Sequence, residues 1–70
     1  MEQLPISTEF IKLDAALKFA NLVGSGGEAK NLILDGYVLV NGEICTMRGK
    51  KLRPGDILEL AGNKIEITAE

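Results

Sequence analysis

Two stretches of this 70-residue chain carry groups that could hold a charged ligand. The first is Gly24-Ser25-Gly26-Gly27-Glu28-Ala29-Lys30. Ser25 followed three residues later by Glu28 is a capping box: the serine hydroxyl can accept from the Glu28 amide, and the glutamate can reach back to the Ser25 amide. The helix that starts there presents unpaired amides and a partial positive charge, a combination that attracts phosphate. Gly26 and Gly27 put no side chain in the way, and Lys30 adds a full charge one turn further in. The second stretch, Ile44 to Gly55, holds four cations (Arg48, Lys50, Lys51, Arg53) and no acid. With a chain total of −2, its +4 leaves −6 on the remainder, so the field of this acidic protein is directional. Taken alone, each stretch has a plainer reading, the first as a helix cap and the second as a solvated loop. If the two converge, together with Lys12 and Lys18, they form a concave cationic surface suited to nucleic-acid phosphates.

Other chemistries are excluded by inventory. There is no histidine and a single cysteine, Cys45, so neither a structural zinc nor a Cys/His nucleophile can be assembled. The acids are scattered, and each has a structural explanation. Asp14 suits the first turn of a helix, Asp35 precedes a helix stop, and Asp56 follows a Pro-Gly turn. Gly24 to Gly27 lacks the Gly-Lys-Ser/Thr ending and the preceding strand of a nucleotide-binding loop. The reading is therefore of a protein that is not an enzyme, with no catalytic residues, no metal ligands and no cofactor. With two Phe, one Tyr and no Trp, base stacking on single strands is disfavoured, and shape-and-backbone recognition of a structured RNA fits better. Tyr37 is the one stacking candidate, although its place in a strand suggests partial core.

The elements that must position these groups follow from periodicity. Leu13, Ala16, Leu17 and Ala20 recur at helical spacing, as do Ala29, Leu32 and Ile33 beyond the capping box, so two helices face one another across a short Val23-Gly24 link. Gly36 ends the second helix in the left-handed conformation. The chain then alternates through Tyr37 to Val40, and Asn41-Gly42 supplies a type I′ hairpin turn that brings Glu43 to Thr46 back. Met47 to Lys51 is a basic excursion hinged at Gly49. Arg53-Pro54-Gly55-Asp56 reads as a type II turn, Ile57 to Leu60 as a strand, Gly62-Asn63 as a turn and Lys64 to Thr68 as a last strand. Residues 6–11 read as a short strand and residues 1–5 as a loose arm. The expected fold is α+β: two helices packed on a small, mainly antiparallel sheet, in one domain over 1–70 whose folded part is 6–68. A 46% hydrophobic content supports one aliphatic core. No apolar run is long enough for a membrane span, the N-terminus lacks the features of a secretory signal, and the lone cysteine fits a reducing cytoplasm. No oligomerisation signal is visible, so a monomer is expected.

The combined pattern resembles a known family. Lys12-Leu13-Asp14, Gly24-Ser25-Gly26-Gly27-Glu28-Ala29-Lys30, Gly36-Tyr37-Val38-Leu39-Val40-Asn41-Gly42 and Arg53-Pro54-Gly55-Asp56 resemble the RNA-binding domain named after ribosomal protein S-four, also called the αL motif, over about residues 6 to 68. The resemblance is nearest to small stand-alone bacterial proteins with a Gly-Gly-Glu-Ala-Lys turn and a segment like Arg48-Gly49-Lys50-Lys51-Leu52. It implies a ribosome-associated role and an RNA surface made of Lys12, Ser25, Gly26, Gly27, Lys30 and Asn31 with Arg48, Lys50, Lys51 and Arg53. Many relatives carry Arg at the positions of Lys12, Gly26 and Asn31. This copy is less basic along its helices, which shifts weight onto the 48–53 loop.

The implied partner is a structured RNA, ribosomal or transfer, with a ribosomal particle or another protein on the acidic face. The competing reading is a protein-interaction or ubiquitin-like carrier module without nucleic acid. Such carriers end in Gly-Gly, whereas this sequence ends Ile67-Thr68-Ala69-Glu70, which disfavours that chemistry.

Overall fold

A computed structural model describes residues 1–70 as a two-helix, seven-strand α+β domain. The order is β1 (Glu2–Ile6), β2 (Ile11–Lys12), α1 (Leu13–Phe19), α2 (Gly26–Leu34), β3 (Val38–Val40), β4 (Glu43–Ile44), β5 (Lys51–Leu52), β6 (Ile57–Leu60) and β7 (Asn63–Ala69). Five strands form one sheet in the order β1-β7-β6-β3-β4, and β2 pairs with β5 in a separate ribbon. All pairs are antiparallel except β1 with β7.

Both helices end in the same device. The Asn21 amide donates to the Lys18 carbonyl and the Leu22 amide to the Leu17 carbonyl, with Asn21 at φ +59°. Gly36, at φ +83°, and Tyr37 repeat those two bonds to Ile33 and Leu32. This pair of bonds satisfies the last carbonyls of a helix and turns the chain sharply. Leu13, Ala16 and Leu17 of α1 and Ala29 and Ile33 of α2 join alternate strand residues such as Val38, Leu58, Ile65 and Ile67 in one buried aliphatic cluster. No charged or polar residue is buried with them.

Three expectations are corrected. Residues 1–5 are not a loose arm: Glu2 to Ile6 lies parallel to Ile65–Ala69, and the Glu70 amide donates to the Ile6 carbonyl. Pairing between the two chain ends is wholly non-local, and Pro5 is tolerated because β1 is an edge strand. The strand expected over 6–11 shrinks to Ile11–Lys12, paired with Leu52 and Lys51, because residues 7–9 bend. The last hairpin turns at Ala61-Gly62, not Gly62-Asn63. Ala61 (φ +53°) and Gly62 (φ +82°) occupy the type I′ positions, and Leu60 pairs with Asn63. An alanine at positive φ is a poor local signal, so the Gly-Asn dipeptide was the more visible turn.

Candidate nucleic-acid interface

The basic excursion has almost no regular structure, yet its backbone is fixed on α1. Lys12, the residue before that helix, provides no side-chain cap. The loop provides carbonyls instead: the Leu13 amide donates to the Lys50 carbonyl at 2.9 Å and the Asp14 amide to the Arg48 carbonyl at 3.1 Å. Orphan amides of α1 are thus satisfied by a segment more than thirty residues away, as buried helix ends require. A further bond, Lys50 amide to Met47 carbonyl at 3.1 Å, closes the loop around Gly49. Beyond it, Leu52 is fully buried while Lys51 faces Lys12 across the β2–β5 ribbon. Lys12, Arg48, Lys50, Lys51 and Arg53 are therefore gathered at one end of α1 by backbone bonds.

The missed residue is Phe10. The Lys51 Nζ lies 4.9 Å from its ring centroid and the Arg53 guanidinium 6.0 Å, both within cation–π range. An aromatic at the end of a presumed strand gave no sign of this, because the ribbon that brings it under two cations is set by long-range pairing. Asp56 fixes the other flank. Its Oδ2 accepts from the Arg53 amide at 2.8 Å and its Oδ1 from Asn41 Nδ2 at 3.1 Å. Asn41 Oδ1 accepts in turn from the Ile57 amide at 2.9 Å, so the hairpin-turn asparagine ties two turns together. The Arg53 amide is the largest influence holding the Asp56 carboxyl below its ordinary pKa. Partial burial opposes it, while Asn41 and the charges of Lys50 and Arg53 add to it.

The tip of α2 is capped as the spacing suggests, with one change. Ser25 Oγ accepts from the Glu28 amide at 3.2 Å, but Glu28 Oε1 reaches past Ser25 to the Gly24 amide at 2.6 Å. Ser25 is in an extended conformation, which places the Gly24 amide in the line of the returning carboxylate. The Gly26 and Gly27 amides keep no partner within the chain. Gly26 shares a hollow of about 210 Å³ with Asp14, Ala15, Lys18 and Phe19. The two regions thus adjoin through Asp14, whose amide binds the Arg48 carbonyl and which is itself part of the hollow's lining.

The side chains divide that arrangement. Lys51 and Arg53 turn to Phe10, and Lys50 lies within electrostatic reach of Asp56. Lys30 and Asn31 are exposed on α2, and no side-chain hydrogen bond joins them to the loop. Nor are the acids confined to the far side, because Asp14 stands at the tip, its Oδ1 accepting from the Ala15 amide. Tyr37, expected as partial core, is 61% exposed, because the turn that ends α2 swings it outside β3. No Lys or Arg side chain is engaged in any of the chain's side-chain hydrogen bonds; Lys51 and Arg53 are engaged with the Phe10 ring instead.

Two helices on a mixed sheet, with a glycine-rich helix tip beside a basic loop, match a described domain. The S4 domain model covers residues 4–68, and the chain belongs to that family. A relative from Bacillus subtilis (strain 168), named "Probable ribosome maturation protein RlbA", is 44% identical over 59 residues, spanning 84% of this chain and 83% of its own.

Proposed function

We propose that this protein binds structured RNA, ribosomal RNA in the first instance, without catalysing a reaction on it. The surface is Lys12, Arg48, Lys50, Lys51 and Arg53 at the start of α1, continued by Ser25, the Gly26 and Gly27 amides, Lys30 and Asn31 on α2. The observation that carries the reading is the pinning of the loop. Backbone bonds from Leu13 and Asp14 hold a +4 segment against the helix end, while its cationic side chains make no hydrogen bond within the chain. The similarity to a protein named for ribosome maturation supports a ribosomal target, and family membership supports an RNA one. Phosphates meet the cations and free amides, and contacts held at fixed positions favour a folded RNA over a flexible one.

The test is the salt dependence of binding to a ribosomal RNA hairpin. Neutralising roughly four phosphates gives a slope of log K against log salt of roughly −3 to −4. Arg48, Lys50 and Lys51 replaced together by Ala should weaken binding and flatten that slope, with the melting temperature lowered by no more than the few degrees that loss of the Lys51–Phe10 contact brings, because all three are exposed. An unchanged slope removes the loop from the interface.

A further inference from the structure

Phe19 is left unexplained by the fold. On α1, Leu13, Ala16 and Leu17 are fully buried, so helical geometry puts Asp14, Ala15, Lys18 and Phe19 on the opposite face. Phe19, the last residue of that helix, is 68% exposed. An isolated exposed apolar residue needs no explanation. Phe19 differs in bordering both hollows in the surface, one shared with Asp14, Ala15, Lys18 and Gly26 and the other formed at the bend after β1. The first hollow adjoins the basic loop, because the Asp14 amide donates to the Arg48 carbonyl at 3.1 Å. On its α2 side it is open, since a Cβ built on Gly26 would meet nothing within 4 Å.

The residues bordering this hollow offer one aromatic ring, one carboxylate and one ammonium. Phosphate alone would be repelled by Asp14, and a purely apolar occupant would leave Asp14 and Lys18 without a role. A nucleotide uses all three. Its base stacks on an aromatic face, its N–H groups donate to a carboxylate, and its phosphate meets a cation. Asp14 Oδ1 accepts from the Ala15 amide at 2.8 Å, while Asp14 Oδ2 and Lys18 Nζ make no hydrogen bond within the chain. At about 210 Å³ the hollow is smaller than the roughly 300–1,000 Å³ of pockets for drug-sized ligands, which suits a single base.

We propose that this hollow receives one unpaired nucleotide of the bound RNA, its base stacked on Phe19, its N–H edge toward Asp14 and its phosphate toward Lys18. The inference rests on the RNA reading above and narrows it: the target is a stem with a bulged or looped-out nucleotide. Guanine suits Asp14 best, because its pairing edge presents two adjacent N–H donors to one carboxylate. A lone platform agrees with the scarcity of aromatics, which disfavours tracking along a single strand but not the reading of one displaced base.

The experiment gives the full chain three RNAs: a ribosomal RNA hairpin with an uninterrupted stem, the same hairpin with one bulged G, and the bulged form with that nucleotide abasic. The abasic form keeps the bend and the phosphate, so it isolates the base. The bulged G should bind about tenfold more tightly than the other two, near the low end of what one base–aromatic stack contributes. Phe19→Ala should erase that gain and leave binding to the uninterrupted stem as it was, while Phe19→Tyr should keep it. Should Phe19→Ala not fold, Phe19→Leu retains the apolar volume and should lose the gain for want of a ring. Equal affinity for bulged G and abasic RNA, with salt-dependent stem binding intact, would overturn this inference and leave the RNA reading standing. Phe19→Ala without effect on any of the three would do the same and assign Phe19 to a protein contact. Salt-independent or absent binding of all three would overturn both.

Discussion

The basic loop and the hairpin beside it, β3–β4, differ in how they are built and in what that leaves exposed. The hairpin is local: Asn41 and Gly42 take positive φ, and Val40 pairs with Glu43 across a two-residue turn. Its geometry is written in adjacent residues. The loop that follows has no such code between Cys45 and Lys50, and it is held by what lies far away in sequence, the first two amides of α1 and the β2 strand. A segment can therefore be held in place without regular structure when its carbonyls, rather than its side chains, make the attachment. Its cations then make no hydrogen bond within the chain, whereas a side-chain attachment would have consumed them.

The sharpest way to break that contrast is to remove the apolar anchor between the cations. Leu52 is fully buried between Lys51 and Arg53. Leu52→Ala should cost about 2–5 kcal/mol, comparable to the entire stability of a domain this small. Loss of cooperative unfolding by circular dichroism at 37 °C is the expected result. A folded variant with a melting temperature near that of the wild type would mean that the loop is held without Leu52.

Asp56 supplies the next largest effect. Its carboxylate accepts from Arg53 and Asn41, so Asp56→Ala should destabilise by about 1–2 kcal/mol at pH 7, a drop of several degrees in Tm. The pH dependence has a definite sign. The folded carboxyl titrates below its ordinary value, so its contribution is complete above the ordinary aspartate range and is lost as pH falls through the lowered folded value. The difference in stability between wild type and variant should therefore shrink on acidification. A gap that widened would reverse the assignment.

How much of this was legible in the sequence follows the same division. Ser25 with Glu28, Asn41-Gly42, Pro54-Gly55 and the spacing of Leu13, Ala16 and Leu17 each encode structure within a few residues, and the structure contains each of them. What could not be read depends on distant partners. The strand at 2–6 exists through pairing with 65–69, Phe10 matters through Lys51 and Arg53, and the cap of α1 comes from residues 48–50. One weak signal was present, since Lys12 cannot cap a helix and α1 therefore needed a carbonyl source elsewhere. The candidate site was legible as a set of residue types, but not in the way Phe10 and Asp56 divide them.

Gly36 tests the opposite end of the hairpin. At φ +83° an alanine is strained, while its Cβ would meet Ile44 only at ordinary van der Waals distance. Gly36→Ala should cost about 1 kcal/mol through the backbone alone. Binding at the basic loop should be unchanged, as measured by the salt slope on the RNA hairpin. A changed slope would couple two regions that the structure keeps apart.

The smallest expected effect separates charge from its placement. Phe10→Leu keeps every cation but removes the ring beneath Lys51 and Arg53. An exposed cation–π contact is worth about 0.5–1 kcal/mol, so the melting temperature should fall by only a few degrees. The salt slope counts neutralised phosphates and should stay where it is. Affinity should nevertheless fall a few-fold, because Lys51 and Arg53 then lose rotamer freedom on binding that the ring had already taken from them. If the slope fell instead, the ring would be deciding how many phosphates are met. If affinity rose, the ring would be competing with RNA for the two cations, and the contact seen here would be one that the ligand displaces.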